Sequence, residues 1–331
     1  MQLLGVLMAD SVRRMEGKMK KSFSRREFVK AGIAAACGTA ASGSVAKAEA
    51  ASVSGASGGA LPASPEPDAP LPIKKAVLLS MLPKQLSYKA RFAMARRAGF
   101  DAVEAYTIPD QQEVKLVKRA ADDAGVRIHS VMNMGHWEWP LSSSDPAVVK
   151  RSLAAMRISL GNAKFWGAET VLLVPAVVTP EVNYSEAWKR SQEQIHTLLP
   201  LAQQLGVKIA VEEVWNKFLL SPLEFPRYVD QFKSPWLKSY FDVGNVVLYG
   251  YPEEWIRQLG PRIAKLHLKD FDRKTFKFVN LGEGSVDWPA VRAALRAINY
   301  HGYATVELED GDEAYLTDVS KRVDKLVLGK A

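Results

Sequence analysis

The sequence predicts a single (β/α)₈ TIM barrel, an α/β fold of eight parallel strands with helical crossovers, over residues 73–331. Three observations carry that prediction. Short apolar runs rich in β-formers alternate with longer amphipathic stretches, the pattern of a parallel sheet joined by helices. Eight such beats fit into about 260 residues, an ordinary size for a closed barrel. The first strand leads into "SMLPKQLS", which has no glycine-rich phosphate turn, and this disfavours an open doubly wound sheet.

In chain order the strands are expected at 76–81 (AVLLSM), 101–105 (DAVEA), 126–132 (VRIHSVM), 169–175 (ETVLLVP), 207–212 (VKIAVE), 237–242 (LKSYFD), 262–268 (RIAKLHL) and 303–308 (YATVEL). Helices fall between them, for example at 147–166 and 185–204. The first of these opens on "SSSDPAVV", where Asp145 can cap and Pro146 can occupy the first turn. Glycines in "RAGF", "DAGV", "WGAE" and "QLGV" fit helix C-caps ahead of strands.

Residues 1–48 read as a segment apart: basic, then Ala-rich and mildly apolar, then small residues ending in Ala46-Lys47-Ala48. Ser24 to Lys30, "SRREFVK", resembles the twin-arginine motif of bacterial Tat export signals, with Met15 or Met19 as alternative starts. The resemblance implies the Tat translocase as an export partner, a periplasmic or extracytoplasmic location, and no stable membrane insertion after cleavage. Cys37 is the only cysteine; it excludes an intrachain disulfide, and "AAAC" is a poor lipobox for a lipid anchor. Residues 49–72, rich in Ala, Ser, Gly and Pro, read as a flexible tether.

The same leader explains the charge. It holds nine Lys/Arg against three Asp/Glu, which leaves 35 against 33 in the remaining chain. A net charge of +2 there does not imply a basic groove, so a nucleic-acid partner is not expected.

At the carboxyl ends of barrel strands polar side chains face the mouth. The last four strands each finish on a metal-ligand type: Glu212 in "KIAVE", Asp242 in "YFDVGN", His267 in "KLHLKD" and Glu307 in "ATVELE". Singly, each reads more simply as a loop carboxylate, a cap or a core histidine. Together they would crowd three carboxylates at one mouth, where they repel unless a cation neutralises them. Two Glu, one Asp and one His suit Mn²⁺ or Mg²⁺, with Co²⁺ or Zn²⁺ as further candidates.

"GVKIAVE", "YFDVGN", "KLHLKDFDR", "NLGEGSVDW" and "GYATVELE" resemble, in this order, the motifs of the xylose isomerase-like TIM barrels. The branch is that of the sugar phosphate isomerases/epimerases, which includes ketose 3-epimerases and hydroxypyruvate isomerase. The resemblance runs from about Ile73 to the C-terminus and is strongest over 206–309. It implies one divalent ion, Mn²⁺ first, held by Glu212, Asp242, His267 and Glu307, with Glu212 and Glu307 also the catalytic acid/base pair. It places Asn245 where ketose 3-epimerases usually carry a substrate-binding His, and an amide cannot become cationic there. Arg273 matches a position that contacts substrate oxygens. Glu213 neighbours Glu212 but must point to the opposite face of the strand.

Other candidates are weaker. Glu104 and His129 fall on the second and third strands, as substrate contacts or as a polar layer of the core. In the loop "MNMGHWEWPLSSSD", His136, Trp137 and Trp139 form either a sugar-stacking wall or an apolar plug. Trp215 and Phe218 could wall the other side. "GEG" at 282–284 reads as a tight turn before a helix capped by Asp287. Lys269 and Asp270 belong to the loop shaping the site, Asp270 as an orienting group for a ligand or as a loop cap.

This set of groups predicts proton transfer beside a carbonyl through an enediolate: epimerisation if the proton returns to the opposite face, isomerisation if it returns to the neighbouring carbon. Export favours an unphosphorylated sugar, keto-sugar or cyclitol as the small-molecule substrate. A lyase eliminating the aglycone of a 3-keto-glycoside at the same site is the alternative, and a non-catalytic carbohydrate-binding barrel is the second. Endonuclease IV shares the barrel but needs a larger histidine cluster than five histidines supply. A homodimer is left open.

Overall fold

The computed structural model describes residues 69–330; the leader, Cys37 and the tether up to residue 68 lie outside the described residues. Eight parallel strands close a barrel: β1 (Lys74–Leu78), β2 (Ala102–Tyr106), β3 (Arg127–Met132), β4 (Thr170–Leu173), β5 (Lys208–Glu212), β6 (Leu237–Asp242), β7 (Ile263–Leu268) and β10 (Tyr303–Val306), with β1 paired to both β2 and β10. Between β7 and β10 lies an antiparallel hairpin, β8 (Asp270–Asp272) and β9 (Lys277–Val279).

Helices follow each barrel strand: α1 (Tyr88–Arg97), α2 (Gln111–Ala124), α3 (Pro146–Trp166), α4 (Tyr184–Leu205), α5 (Glu224–Asp230), α6 (Pro252–Leu259), α7 (Trp288–Ala297) and α8 (Glu313–Val323). Their ends are set by local chemistry. The Asp145 side chain accepts from the N–H of Ala147 ahead of α3, and Pro146 fills the first position, where its missing N–H costs nothing. Asn183 and Glu186 form a reciprocal capping box on α4. Gly167 and Gly206 end α3 and α4 at φ of 76° and 69°, a conformation that a Cβ disfavours.

The apolar core lies between the outside of the barrel and the helices. Phe92, Phe225 and Phe241 are fully buried in it, each contributing about 1.5–3 kcal/mol by removal from water. Alternation along each strand leaves a second set facing the barrel axis, and here that set is polar: Glu104, His129, Tyr240, Lys265, His267 and Thr305 are all buried.

Three strands end earlier than expected. Residues 79–81 of the first predicted strand form a 3₁₀ turn. The fourth strand stops at Leu173, two residues before Pro175, which has no N–H to donate to a neighbour. β10 ends at Val306, so Glu307 stands just beyond the strand, its N–H donating to the Leu268 carbonyl at 3.2 Å. The hairpin β8–β9 was not anticipated; Asp272 makes its turn by accepting from the N–H groups of Lys274 and Thr275.

Candidate active site and metal centre

Register brings the strand ends together. Glu212 pairs with Tyr240, and Asp242 with His267, across β5, β6 and β7. One ligand atom from each of Glu212, Asp242, His267 and Glu307 lies within 4.8 Å of all the others. His267 Nδ1 is 2.8 Å from Glu212 Oε1, 2.8 Å from Glu307 Oε2 and 3.9 Å from Asp242 Oδ2. Glu307 keeps 22% of its side chain exposed, whereas Asp242 and His267 are closed off, so Glu307 faces the mouth.

The donor set fits a divalent cation. Asp242 Oδ1 accepts from the N–H groups of Gly244 and Asn245 at 2.7 and 2.8 Å, which fixes the carboxylate and leaves Oδ2 buried without a hydrogen bond. A buried carboxylate oxygen in that state needs a positive partner. Lys269 Nζ lies 3.2 Å from Asp242 Oδ2 and 3.0 Å from Glu307 Oε2. The ionisation pattern follows from this crowding. Burial pushes Glu212 up to about 7, against the pull of His267. Burial would also raise Glu307, but Lys269 and His267 hold it well below the usual carboxylate range. Burial would lower His267, yet Glu104, Glu307 and Glu212 raise it well above an ordinary histidine.

Other expected site residues stand elsewhere. Glu104 is fully buried beneath the site: it receives a short hydrogen bond from the Tyr240 hydroxyl, and its Oε2 is 3.0 Å from His267 Nε2. It positions the histidine and does not reach the mouth. His129 is also fully buried, its Nε2 2.9 Å from Thr305 Oγ1 and its ring stacked on Tyr303 at 4.5 Å. It belongs to the inner layer of the barrel. Arg273 is committed to backbone, donating to the carbonyls of Val247 and Gly250 and lying over the Tyr251 ring.

Asn245 is buried near the centre, its Nδ2 donating to the Glu213 carbonyl at 3.0 Å and its Oδ1 3.5 Å from Lys269 Nζ. Glu213 points outward from the barrel axis, as strand alternation requires, and accepts from the Asp242 N–H at 2.9 Å. His136 is buried against the end of β4, where its Nδ1 accepts from the Val174 N–H, and the half-buried Trp137 packs edge-on against it. Trp215 stacks on Phe278 of β9 at 4.9 Å and donates to the Asn245 carbonyl, so the hairpin supplies an aromatic flank. Phe218 is instead buried among Tyr184, Trp188 and Tyr228, away from any wall.

Lys269 is the group that sequence reasoning undervalued. Its signal was the period of two: Lys269 follows His267 by two residues and shares its face. Asp270 proves to be a loop tie, accepting from the N–H groups of Phe271, Gly282 and Val286 and from Trp288 Nε1.

Residues 92–324 match the family model of the xylose isomerase-like TIM barrel. SgbU of Escherichia coli (strain K12), which carries a provisional L-ribulose-5-phosphate 3-epimerase name, is 30% identical over 244 residues, covering 69% of this chain and 85% of that protein. The L-ribulose-5-phosphate 3-epimerase UlaE of Salmonella paratyphi C (strain RKS4594) is 26% identical over 240 residues, covering 69% and 84%. Among solved structures, a D-tagatose 3-epimerase-like protein superposes with a TM-score of 0.68 at 20% identity, over 77% of this chain and 98% of that one.

Proposed function

The chain belongs to the xylose isomerase-like TIM barrel family, and from that premise we propose that it is a metal-dependent epimerase or isomerase of an unphosphorylated keto-sugar or cyclitol. The observation that carries this reading is the convergence of Glu212, Asp242, His267 and Glu307 at one barrel mouth. Those four residues would hold one divalent ion, Mn²⁺ in this reading, which supplies Lewis-acid polarisation of a carbonyl when bound.

The protein's own groups do the rest. One of Glu212 and Glu307 takes the proton from the carbon beside the carbonyl, and the other returns one to the opposite face or to the next carbon. Glu307 reaches the mouth, while Glu212 sits deeper at 5% exposure, so the two approach a substrate from different depths. Lys269 offsets the charge of Asp242 and Glu307. The half-buried Trp137 and Trp215 offer aromatic surface suited to sugar C–H faces.

The preference for a free sugar rests on the twin-arginine motif at Ser24–Lys30, which supports Tat export to the periplasm.

The test is exchange of a substrate C–H with D₂O over a panel of free ketoses and 3-keto-glucosides. Wild type should exchange in a metal-dependent way, and Glu212→Gln and Glu307→Gln should each lose turnover while remaining folded. An active Glu307→Gln protein would sink the assignment. Asn245 favours a second reading, elimination from a 3-keto-glycoside: an amide locked to Glu213 and Lys269 replaces the epimerase histidine. Release of free aglycone from such a substrate distinguishes the lyase.

A further inference from the structure

The period of two that carries His267 and Lys269 to the mouth carries Lys265 to the other end of the barrel. There the strand starts enclose a cavity of about 610 Å³. Five cations line it, Lys74, Arg127, Lys208, Lys238 and Lys265, against a single carboxylate, Glu169. That carboxylate is already shared, at 2.6 Å from Arg127 and 3.5 Å from Lys265. Among the described residues, Lys74, Lys208 and Lys238 form no ion pair.

Concentrating like charges in one concave wall is unfavourable unless an anion neutralises them. Lys265 is the most deeply buried of the five. Its side chain is 4% exposed, and burial, against the pull of Glu169 and with Arg127 and Lys208 adding to it, pushes its ammonium down to about 8. Tyr303 floors the cavity and meets the ammonium groups of Lys265 and Lys74 at 4.5 and 5.5 Å from its ring centre. Nothing in the proposed chemistry at the mouth uses any of these groups.

We infer that this floor cavity binds a small multivalent oxyanion of the phosphate or sulfate class, at a site separate from the sugar-converting mouth. Lys265 supplies the buried charge, the rim lysines and Arg127 supply the entrance, and Glu169 holds Arg127 and Lys265 in place. Glu307 lies at the opposite end of the barrel and takes no part.

Calorimetric titration of the full chain with pyrophosphate at low ionic strength tests this. Saturable binding at one anion per barrel is expected, weakened at least tenfold in Lys208→Ser/Lys238→Ser, half-buried positions whose far-UV circular dichroism is compared with wild type to show an intact fold, and retained in Glu307→Gln. Lys265→Met should weaken it further. Three results would each overturn the inference: no saturable binding by wild type, equal binding by the rim double variant, or loss in Glu307→Gln alone.

Discussion

Glu104 Oε2 lies 3.0 Å from Nε2 of His267, while the other ring nitrogen of that histidine faces Glu212 and Glu307. A carboxylate behind a ligating imidazole fixes its ring orientation and tautomer and raises its basicity. Glu104 thereby decides how His267 presents itself to the mouth, although no substrate can reach it.

Glu104→Gln should therefore weaken divalent-ion binding by about 10–100-fold with the barrel still folded. Titration of the metal-free protein with Mn²⁺ measures it. His267→Ala should abolish stoichiometric binding in the same assay, and equal affinity in Glu104→Gln would assign the carboxylate a packing role only.

Lys269→Met removes the ammonium between Asp242 and Glu307. Leaving buried carboxylates without their partner costs about 3–5 kcal/mol. Urea unfolding in the presence of chelator should show that loss, and saturating Mn²⁺ should recover much of it by supplying positive charge to the same oxygens.

Asp270 collects three backbone N–H groups and the Trp288 indole, which ties the 282–286 loop to β8. In Asp270→Asn one acceptor becomes a donor facing donors, at a cost of about 2 kcal/mol or more. A Cβ on Gly284 would collide with the same carboxylate, so Gly284→Ala should lower the melting temperature in the same direction.

Burial lowers His136 to about 3, so it stays neutral when folded, whereas an unfolded histidine titrates near 6.5. The unfolded chain therefore binds the proton more readily, and stability is full above pH 6.5 and declines as pH falls toward 3. Between pH 6.5 and 5 this one group removes about 2 kcal/mol. His129, lowered chiefly by burial, acts in the same direction. Unfolding free energies at the two pH values should fall less in His136→Asn than in wild type; identical slopes would show that His136 titrates in the folded protein.

The four candidate ligands were legible because strand ends and a period of two are local properties. A β-rich run ending in Glu, Asp or His tells where that side chain leaves the strand, whatever its neighbours are. Which of their two readings Glu104 and His129 take, substrate contact or polar core layer, was decided non-locally. The β2–β3 register runs from Val103 opposite Ile128 to Glu104 opposite Ser130, so His129 is an extra residue at an irregularity and turns toward Thr305. No feature of "VRIHSVM" announces that shift. The contacts of Arg273 with the carbonyls of Val247 and Gly250 depend on the hairpin turn that follows β8, which no local pattern in the sequence announces.

By itself the sequence determined the alternation of elements, the caps that end the helices, and the residues standing at the last four strand ends, because each depends on neighbours within a few positions. Tertiary structure alone decided depth and company: which carboxylate backs His267, which ammonium lies between Asp242 and Glu307, and that five cations meet at the barrel floor. Those outcomes depend on how far each strand slides against the next when the barrel closes, a quantity fixed by pairing between distant segments.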